Sequence, residues 1–361
     1  MYNTTTGIAW RRVLCIISLT SVVSIWLGWY VIYKTPWPMY LTDKFGIYHL
    51  VPDISCANCT KVSNDFMLQP SSKFCKSPGD VFLLILVISH HANKDAREAI
   101  RKSWGSVKEH EGKKVRTMFA FGVHKDKNFN TLVENEAKIF GDVLQTRVDD
   151  HYKKLTDKSI SSLNWIDSKC SPKYVLKTDD DAYNNPYLLV DYLKGIREPN
   201  YIAGYCFTVW PDRRQSSKFF VPEYVYPDAY YPIYCSGPGY VISQSALHKI
   251  IKAVRKIRYV HMEDVAVTGL ARIKAGLHYH QLPGMLENKH IKGCGLATRV
   301  INAHHVTPPE QTKMWSTVLN AIKSNCIIKG SNHGIIFCLL FLPSWGFIIY
   351  KMLFAKGTTF L

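Results

Sequence analysis

The polar and apolar positions of the chain follow two repeating patterns, continuous apolar runs and amphipathic stretches with helical spacing. Residues 81–89 (VFLLILVIS) are almost continuously apolar, which predicts a strand buried on both faces. Residues 93–105 then place side chains at helical spacing and end at Gly105, which predicts a helix. The alternation continues and predicts strands at 115–123, 142–148 and 174–179 and helices at 130–140 and 153–170.

Strands that alternate with helices predict an α/β fold of Rossmann type, in which a mostly parallel sheet is flanked by helices. No G-x-G-x-x-G motif occurs, so a dinucleotide ligand is not expected. Further on, a strand is predicted at 241–243 and a helix at 243–255 with Ser243 as its N-cap. The stretch 209–234 is rich in Trp, Tyr, Phe and Pro. It is equally consistent with aromatic side chains that bind sugar rings and with a packed irregular loop.

An acidic triplet follows one of the predicted strands. The stretch 174–187 (YVLKTDDDAYNNPY) runs from apolar strand residues into Asp179, Asp180 and Asp181, and a helix is predicted from Pro186. Ligands bind outside the carboxyl ends of strands in open α/β sheets, and three carboxylates there repel one another unless a cation is present. Carboxylate oxygens suit Mg²⁺ or Mn²⁺ together with substrate phosphates. A metal–diphosphate site is therefore predicted in preference to a solvated acidic turn.

A second acidic position, Asp264, precedes a predicted helical stretch that ends near Gly276. An acid at the start of a helix is most often an N-cap, because its oxygens accept hydrogen bonds from the first backbone N–H groups. The same carboxylate could serve as a general base if it lies near a reacting hydroxyl. The local sequence alone favours the cap.

The chain is strongly basic, with 45 Lys and Arg against 28 Asp and Glu in 361 residues and a formal net charge of +17. These cations are scattered along the sequence, and no nucleic-acid-binding module is recognisable, so nucleic acid is not an expected partner. A diffuse positive surface suits anionic nucleotide-sugars or a membrane surface.

The uncharged run 13–33 is long enough to span a bilayer, and the arginines in residues 1–12 favour a cytosolic N-terminus. A cleaved signal peptide is the alternative, but no small-residue cleavage site follows the run. The proline-containing stretch 34–80 predicts a lumenal stem, and 81–325 the globular domain. The chain has 10 cysteines, and disulfides are expected in a lumenal domain. The C-x-x-C pair Cys56–Cys59 could also indicate metal or redox chemistry, although structural disulfides are favoured.

Residues 334–354 form a second apolar segment near the C-terminus. The uncharged part is slightly short for a perpendicular span, but Lys351 can snorkel and extend it. A second membrane segment with a cytosolic C-terminus is predicted, and the alternative is a buried terminal helix.

Several motifs between about Val81 and Trp315 resemble, in order, those of the β-1,3-galactosyltransferase and β-1,3-N-acetylglucosaminyltransferase family, whose members are Golgi type II membrane proteins. The opening motif REAIRKSWG and the element LKTDDDAY are both present. In the D-x-Y-x-N-L-T-x-K signature, Lys154 stands where Asn is usual. The other matching positions are FAFGV from Phe119, the block 221–243, Glu263–Val265, Arg299–Val300, His304, Pro309–Glu310 and Trp315.

The resemblance implies a GT-A fold and transfer of a hexose, galactose being favoured, from a UDP-sugar to the 3-hydroxyl of an acceptor glycan. It implies Mn²⁺ held by Asp181 and His304, and Asp264 as the general base. Transfer of N-acetylglucosamine and an inactive glycan-binding protein are the alternatives, and a metal-dependent phosphohydrolase would need more metal ligands than the sequence offers. Donor contacts through phosphate or uridine are implied for Arg97, Arg101, Lys177, Asp179 and Asp180.

Overall fold

The computed structural model describes residues 59–287, 289–324 and 326. The predicted anchor at 13–33 and the apolar segment at 334–354 lie outside the described residues. Within the described part, no helix is long and apolar enough to cross a membrane.

The described residues form strands and helices that alternate through the first half of the domain, as the apolar pattern predicts. The strands are β1 (Phe66–Leu68), β2 (Leu83–Ile88), β3 (Glu109–His110), β4 (Lys113–Val123), β5 (Val143–Asp149), β6 (Tyr174–Asp179), β7 (Tyr183–Asn184), β8 (Ile202–Phe207), β9 (Tyr234–Ser243), β10 (His280–Gln281) and β11 (Asn302–Ala303). The helices are α1 (Lys94–Lys102), α2 (Lys127–Phe140), α3 (Leu155–Lys169), α4 (Pro186–Lys194), α5 (Gln244–Val254), α6 (Arg272–Lys274), α7 (Cys294–Arg299) and α8 (Pro308–Lys323). A π-helix, Val265–Ala271, leads directly into α6.

The main sheet has the strand order β1-β5-β4-β2-β6-β9-β8-β10. Strands β5, β4, β2 and β6 are mutually parallel and form its centre. Strand β9 is antiparallel to both β6 and β8, and β1 is antiparallel to β5. The sheet is therefore mixed, with a parallel centre. The prediction of a mostly parallel sheet is confirmed for that centre, but it did not include the antiparallel direction of β9.

Helices cover both faces of the sheet, which explains why β2 is apolar at every position. Leu84, Leu86 and Ile88 of β2 pack on one side in a cluster that includes side chains of α3 and α5. Leu83, Ile85 and Val87 pack on the other side with side chains of α1, α4 and α8. A strand buried on both faces loses the alternating pattern that an exposed face would impose. The core therefore lies in two layers, one on each side of the parallel centre.

The folded domain begins earlier than the predicted boundary at residue 81. Strand β1 pairs with β5, and Cys75 forms a disulfide with Cys170 at the end of α3. Residues 59–80, assigned to the stem from their prolines, thus belong at least in part to the domain. A three-residue strand is too short to give a periodic pattern, so the sequence offered no signal for it. Two further disulfides in the described part are Cys206–Cys235 and Cys294–Cys326.

Candidate active site

The carboxyl ends of the parallel strands define one edge of the sheet, and the acidic triplet lies there. Strands β4 and β6 lie on opposite sides of β2. The chain leads from β2 to β4 and on to β5 on one side, and from β6 toward β8 on the other, so the loops at the carboxyl ends of β2 and β6 diverge. In open α/β sheets this arrangement creates a crevice that binds ligands. Residues Ser89–His91 follow β2, and the triplet Asp179–Asp181 begins at the last residue of β6. The crevice is therefore lined by histidine, serine and aspartate side chains.

Asp181 forms a cluster with two histidines that come from far along the chain. Its Oδ1 lies 3.3 Å from His304 Nε2, and its Oδ2 lies 3.7 Å from His305 Nδ1. The short antiparallel pairing of β7 with β11 brings them together, and the Val306 N–H donates to the Asp181 carbonyl oxygen at 2.8 Å. Burial opposes ionisation, but the two imidazoles outweigh it and hold the pKa of Asp181 below its ordinary value. Asp181 is thus kept anionic.

The donor atoms of this cluster fit a divalent cation. One oxygen or nitrogen from each of Asp181, His304 and His305 can be chosen so that all lie within 4.8 Å of one another. The Asp181 side chain is 49% exposed and that of His304 is 25% exposed, so water or substrate oxygens can complete the coordination. Carboxylate and imidazole ligands together suit Mn²⁺ among other divalent metals. His305 has a φ of 57°, in the left-handed region that non-glycine residues seldom adopt, and such strain often occurs at ligand sites.

A cavity of about 480 Å³ opens beside the cluster, with Asn93, Asp181 and His305 among its lining residues. The same lining includes Asp95 and Ala96 in the first turn of α1. Asn93 precedes α1 but donates its side chain to Asp180 at 3.0 Å instead of capping the helix. Helix amino termini offer N–H groups and positive potential to anions. The cavity is therefore chemically suited to a phosphate group.

The three aspartates of the triplet have different surroundings. Asp180 is 8% exposed and accepts hydrogen bonds from Ser89 Oγ at 2.7 Å and from Asn93 Nδ2. Burial raises the pKa of Asp180, and the bonds from Ser89 and Asn93 only partly offset that effect. Its carboxyl group therefore fixes the loop between β2 and α1, which differs from the predicted donor contact. Asp179 is half-buried and accepts from Lys177 at 2.8 Å.

Lys177 is also buried, and its ammonium group joins two parts of the site. It donates to Asp179 Oδ1 and to the Gly237 carbonyl oxygen, both at 2.8 Å, and lies 3.2 Å from Glu263 Oε2. Burial alone would lower the pKa of Lys177, but the two carboxylates raise it, so the side chain stays charged. Only 1% of the side chain is exposed. Lys177 joins the ends of β6 and β9 in the structure, and its donor contact stays a prediction.

Asp264 lies at the start of the π-helix, and both of its oxygens accept backbone hydrogen bonds. Oδ1 accepts from Val265 N–H at 2.9 Å, and Oδ2 accepts from Gly237 N–H at 3.2 Å. Burial in the crevice and the neighbouring carboxylate of Glu263 raise the pKa of Asp264 to about 6. Single-turn π-helices occur frequently at functional sites. Asp264 therefore caps the helix, as the local sequence favours, and also has the acidity of a general base that works near neutral pH.

Arg97 and Arg101, for which donor contacts are predicted, are both engaged in ion pairs within the protein. Arg97 is 1% exposed and forms a two-pronged ion pair with Glu136, at 2.9 and 2.8 Å, while its Nη1 donates to the His90 carbonyl oxygen. Arg101 pairs with Glu136 and, twice, with Asp142. Asp142 directly precedes β5, at the sheet edge opposite the crevice. Arg97 thus stabilises the loop after β2 through its bond to the His90 carbonyl oxygen. Arg101 lies in the last turn of α1, away from the crevice.

Other residues of the crevice were not anticipated. A buried group of His91, Asp150 and Lys158 braces the loop after β2, with 3.0 Å between His91 Nδ1 and Asp150 Oδ2 and 2.7 Å between Lys158 Nζ and Asp150 Oδ1. Tyr152 follows on a short 3₁₀ turn and is 38% exposed. Only spacing in the D-x-Y signature marked these positions, without a role. In the stretch 209–234, Tyr226, Tyr231 and Tyr234 are buried, as in a packed loop, whereas Trp210, Phe219 and Tyr224 are exposed. Sugar binding by the exposed rings stays a prediction.

Comparison with known proteins agrees with this geometry. A family model described as galactosyltransferase matches residues 95–283, a range that contains Asp181 and Asp264. The chain is 36% identical over 249 residues to human (Homo sapiens) β-1,3-galactosyltransferase 1, covering 68% of this chain and 76% of that protein. It is 32% identical over 288 residues to rat (Rattus norvegicus) β-1,3-galactosyltransferase 4, with 70% and 76% covered.

The chain belongs to the galactosyltransferase family. The protein is therefore a glycosyltransferase. Among solved structures it is also similar to the galactosyltransferase LgtC in complex with donor and acceptor sugar analogues, with 10% identity, a TM-score of 0.31, and coverage of 70% of this chain and 98% of that chain. The assignment of this glycosyltransferase to its family rests on the sequence comparisons.

Proposed function

We propose that this glycosyltransferase moves a hexose, galactose in preference, from a UDP-sugar to the 3-hydroxyl of an acceptor glycan with inversion at the anomeric carbon. The fold is proposed to be of GT-A type, because an acidic triplet ends a central strand of a mixed sheet with a parallel centre. The observation that carries the proposal is the convergence on one crevice of a cation-binding set and a carboxyl group with a raised pKa. Metal-dependent sugar transfer uses the two together, whereas a protein that only binds glycans would not need both.

The donor side is proposed to consist of Asp179, Asp181 and His304, with His305 beside them. A bound Mn²⁺ would neutralise charge that develops on the leaving diphosphate. Asp181 and His304 would hold this ion, since their donor atoms face each other at 3.3 Å. The amino end of α1, whose Asn93 side chain does not cap it, borders the adjacent cavity and would offer N–H groups to a phosphate.

The acceptor side is proposed to centre on Asp264. Its carboxylate takes the proton of the acceptor 3-hydroxyl, the acceptor oxygen forms a bond to the anomeric carbon, and the bond from that carbon to the UDP oxygen breaks. UDP leaves with the bonding electron pair, and the product is β-linked if the donor is α-linked. The transition state would carry positive charge near the anomeric carbon, as in the oxocarbenium-like transition states of other glycosyl transfers. The Gly237 N–H bond holds Asp264 in place throughout.

The compartment is a further proposal. The apolar run 13–33 suits an N-terminal anchor, and disulfides such as Cys75–Cys170 suit an oxidising lumen. We infer a type II protein of the Golgi membrane with its catalytic domain in the lumen. Fluorescence microscopy with a Golgi marker, and protease protection of the domain in intact microsomes, would test this.

The function is tested with purified full-length protein, Mn²⁺ and each of UDP-galactose, UDP-N-acetylglucosamine and UDP-glucose. The acceptors are benzyl β-N-acetylglucosaminide and benzyl β-galactoside, and the linkage is read by NMR. A β-1,3-galactosyl product that Asp181→Ala and Asp264→Asn both abolish is the expected result. Transfer of N-acetylglucosamine would show that UDP-N-acetylglucosamine is the donor. Glycan binding with no transfer from any of the three UDP-sugars would favour a glycan-binding protein over an enzyme.

A further inference from the structure

A basic groove lies next to the exposed aromatic loop and outside the crevice described above. It encloses about 610 Å³, and its lining includes Lys61, Lys154, Tyr224, Arg258 and Tyr259, which define the basic groove. Residues 59 and 258 form an isolated antiparallel bridge, so one wall comes from the segment that precedes the sheet. Arg258 donates to the Tyr224 carbonyl oxygen at 2.7 Å, which joins that wall to the aromatic loop. The groove is thus a built feature of the domain.

The groove carries excess positive charge. Its lining includes three cations, Lys61, Lys154 and Arg258, and one acid, Asp157. Lys154 pairs with Asp157 at 3.2 Å, and Lys61 lies within electrostatic range of the same carboxylate, so the one acid faces more than one cation. Among the described residues, Arg258 forms no ion pair and donates to a carbonyl oxygen instead. Fixed cations that lack anionic partners within the protein favour a negatively charged ligand.

Aromatic rings accompany these cations. Lys154 Nζ lies 5.6 Å from the centre of the Tyr259 ring, and the Tyr259 hydroxyl donates to the Lys153 carbonyl oxygen at 2.6 Å. Tyr224 is 81% exposed at the rim. Aromatic faces bind the apolar faces of sugars, and polar groups nearby fix their orientation. The combination of rings and cations fits a charged sugar better than a bare inorganic anion.

Tyr152 connects the groove to the reaction centre. The centre of its ring lies 6.3 Å from that of His261, three residues before Asp264. Lys153 and Lys154 follow on the same 3₁₀ turn, so the α-carbons of Tyr152 and Lys154 are at most about 7 Å apart. Lys218 adds a further cation, with its Nζ 5.8 Å from the centre of the Tyr152 ring. A glycan whose end reaches Asp264 would therefore have its next sugar at the groove.

We propose that the basic groove binds a sulfate or carboxylate on the sugar next to the acceptor residue, so that the enzyme prefers anionic acceptor glycans. This inference rests on the proposed sugar transfer to a glycan. Lys154 is the residue that bears on it most directly, because it stands where the family signature has Asn. The signature itself carries no charge at this position.

The test compares matched acceptors on the full-length enzyme in detergent. The neutral probe is the octyl glycoside of N-acetylglucosaminyl-β-1,3-galactose, and the anionic probes are the same disaccharide with a 6-O-sulfate on galactose and its analogue with glucuronate in place of galactose. An exposed ion pair changes affinity by about twofold to fivefold, so the groove should favour the anionic probes about tenfold in kcat/KM, mainly through KM. The preference should shrink in 0.5 M NaCl, because salt screens exposed charges. Comparison of the two anionic probes separates sulfate from carboxylate.

Variants test whether the groove causes the preference. Lys154→Asn should lower the ratio of anionic to neutral kcat/KM about threefold, and addition of Lys61→Gln should bring it close to one. Lys154 is the N-cap residue of α3 and makes no side-chain cap hydrogen bond, and Asn is favoured at N-cap positions, so folding should not suffer. Lys138→Gln is the matched control, because that side chain is 67% exposed on α2 and lies away from the groove, and it should leave the ratio unchanged.

The outcomes separate this inference from the proposed function. Equal kcat/KM for neutral and anionic probes, or a preference that survives the double variant, would overturn the inference while sugar transfer stands. Absence of transfer to every probe would overturn the proposed function. In that case binding of the same probes by saturation-transfer NMR decides the groove: sulfate-dependent binding that Lys154→Asn weakens supports it, and equal binding of neutral and sulfated probes overturns it.

Discussion

Replacement of Asp264 by Asn tests the proposed base most directly, because the change removes its proton-accepting capacity and little else. The amide keeps the size of the carboxyl group and one acceptor oxygen for Val265 N–H. It loses the acceptor for Gly237 N–H, which should cost about 1 kcal/mol, and it removes a buried charge next to Glu263, which offsets part of that cost. The free energy of unfolding at pH 7.5 should therefore change by less than about 1.5 kcal/mol.

The activity should change far more. General-base catalysis contributes about 10²–10⁴-fold, so kcat of Asp264→Asn should fall by about 10³-fold while UDP affinity stays within about twofold of wild type. The wild-type kcat should follow ionisation of the raised pKa of Asp264, near 6. Protonation below that value removes the base, so kcat at pH 5 should be about one tenth of its plateau. An aspartate with its ordinary pKa would still be almost fully active at pH 5.

The assay measures kcat at saturating UDP-sugar and Mn²⁺ from pH 4.5 to 8.5, with UDP binding measured at each pH by tryptophan fluorescence. The binding curve separates loss of the metal site from loss of the base. Asp126→Asn is a matched control, since Asp126 caps α2 through Asn128 N–H at 2.9 Å without a part in the crevice, and its kcat should not change. A kcat of Asp264→Asn within tenfold of wild type, or a flat wild-type profile down to pH 5, would leave Asp264 as a cap only.

Four further outcomes follow from the contacts of the site and from the predicted segments. EDTA should abolish transfer and Mn²⁺ should restore it. Asp181→Ala should lower kcat/KM about 100-fold without lowering Tm, since its side chain is 49% exposed. Full activity with EDTA or in the variant would remove the metal from the mechanism. Asp180→Ala should instead lower the free energy of unfolding in urea by about 1–3 kcal/mol, because it leaves buried donors without an acceptor; an unchanged urea midpoint would contradict its structural role. Arg97→Met should lower the free energy of unfolding by about 3 kcal/mol, because Glu136 then loses a buried partner. Its UDP affinity should stay within about twofold of wild type. Normal stability together with weak UDP binding would instead support a direct contact between Arg97 and the donor. A tag after Leu361 should be digested from outside in intact microsomes while the glycosylated domain survives, and a protected tag would exclude the second membrane segment.

The regular part of the fold could be predicted from the sequence because the parallel strands are buried on both faces. Such strands give continuous apolar runs, and β2, β4 and β6 were predicted to within a few residues on that basis. The pairing of β7 with β11 had no such signal, since two residues cannot show a period. That pairing places His304 beside Asp181, 123 residues earlier, so the metal set could be expected from the family resemblance but not from the local pattern.

Charged residues were harder to assign than apolar ones, because the sequence does not show where a charge is neutralised. Arg97 and Arg101 follow the strand that leads to the crevice, which favours a role with phosphates. Their partners Glu136 and Asp142 lie 35–41 residues away and leave no trace in the local pattern. The same reason applies within the acidic triplet, where Asp180 turns toward Ser89 and Asp181 toward His304. Adjacent residues of the triplet thus differ in surroundings: Asp180 is bonded within the protein, and Asp181 is the proposed metal ligand.

The strength of the proposed base is likewise a property of the fold and not of the E-D-V motif that contains it. Lys177 and Tyr240 face each other across β6 and β9. Both contact Glu263, through an ion pair of 3.2 Å and a hydrogen bond of 2.5 Å. Burial raises the pKa of Asp264 most, Glu263 adds to the rise, and the nearby Lys177 limits it. The pairing of β6 with β9 fixes Lys177 and Tyr240 around Glu263, so β9, whose antiparallel direction the sequence did not predict, contributes to the electrostatics of the proposed base.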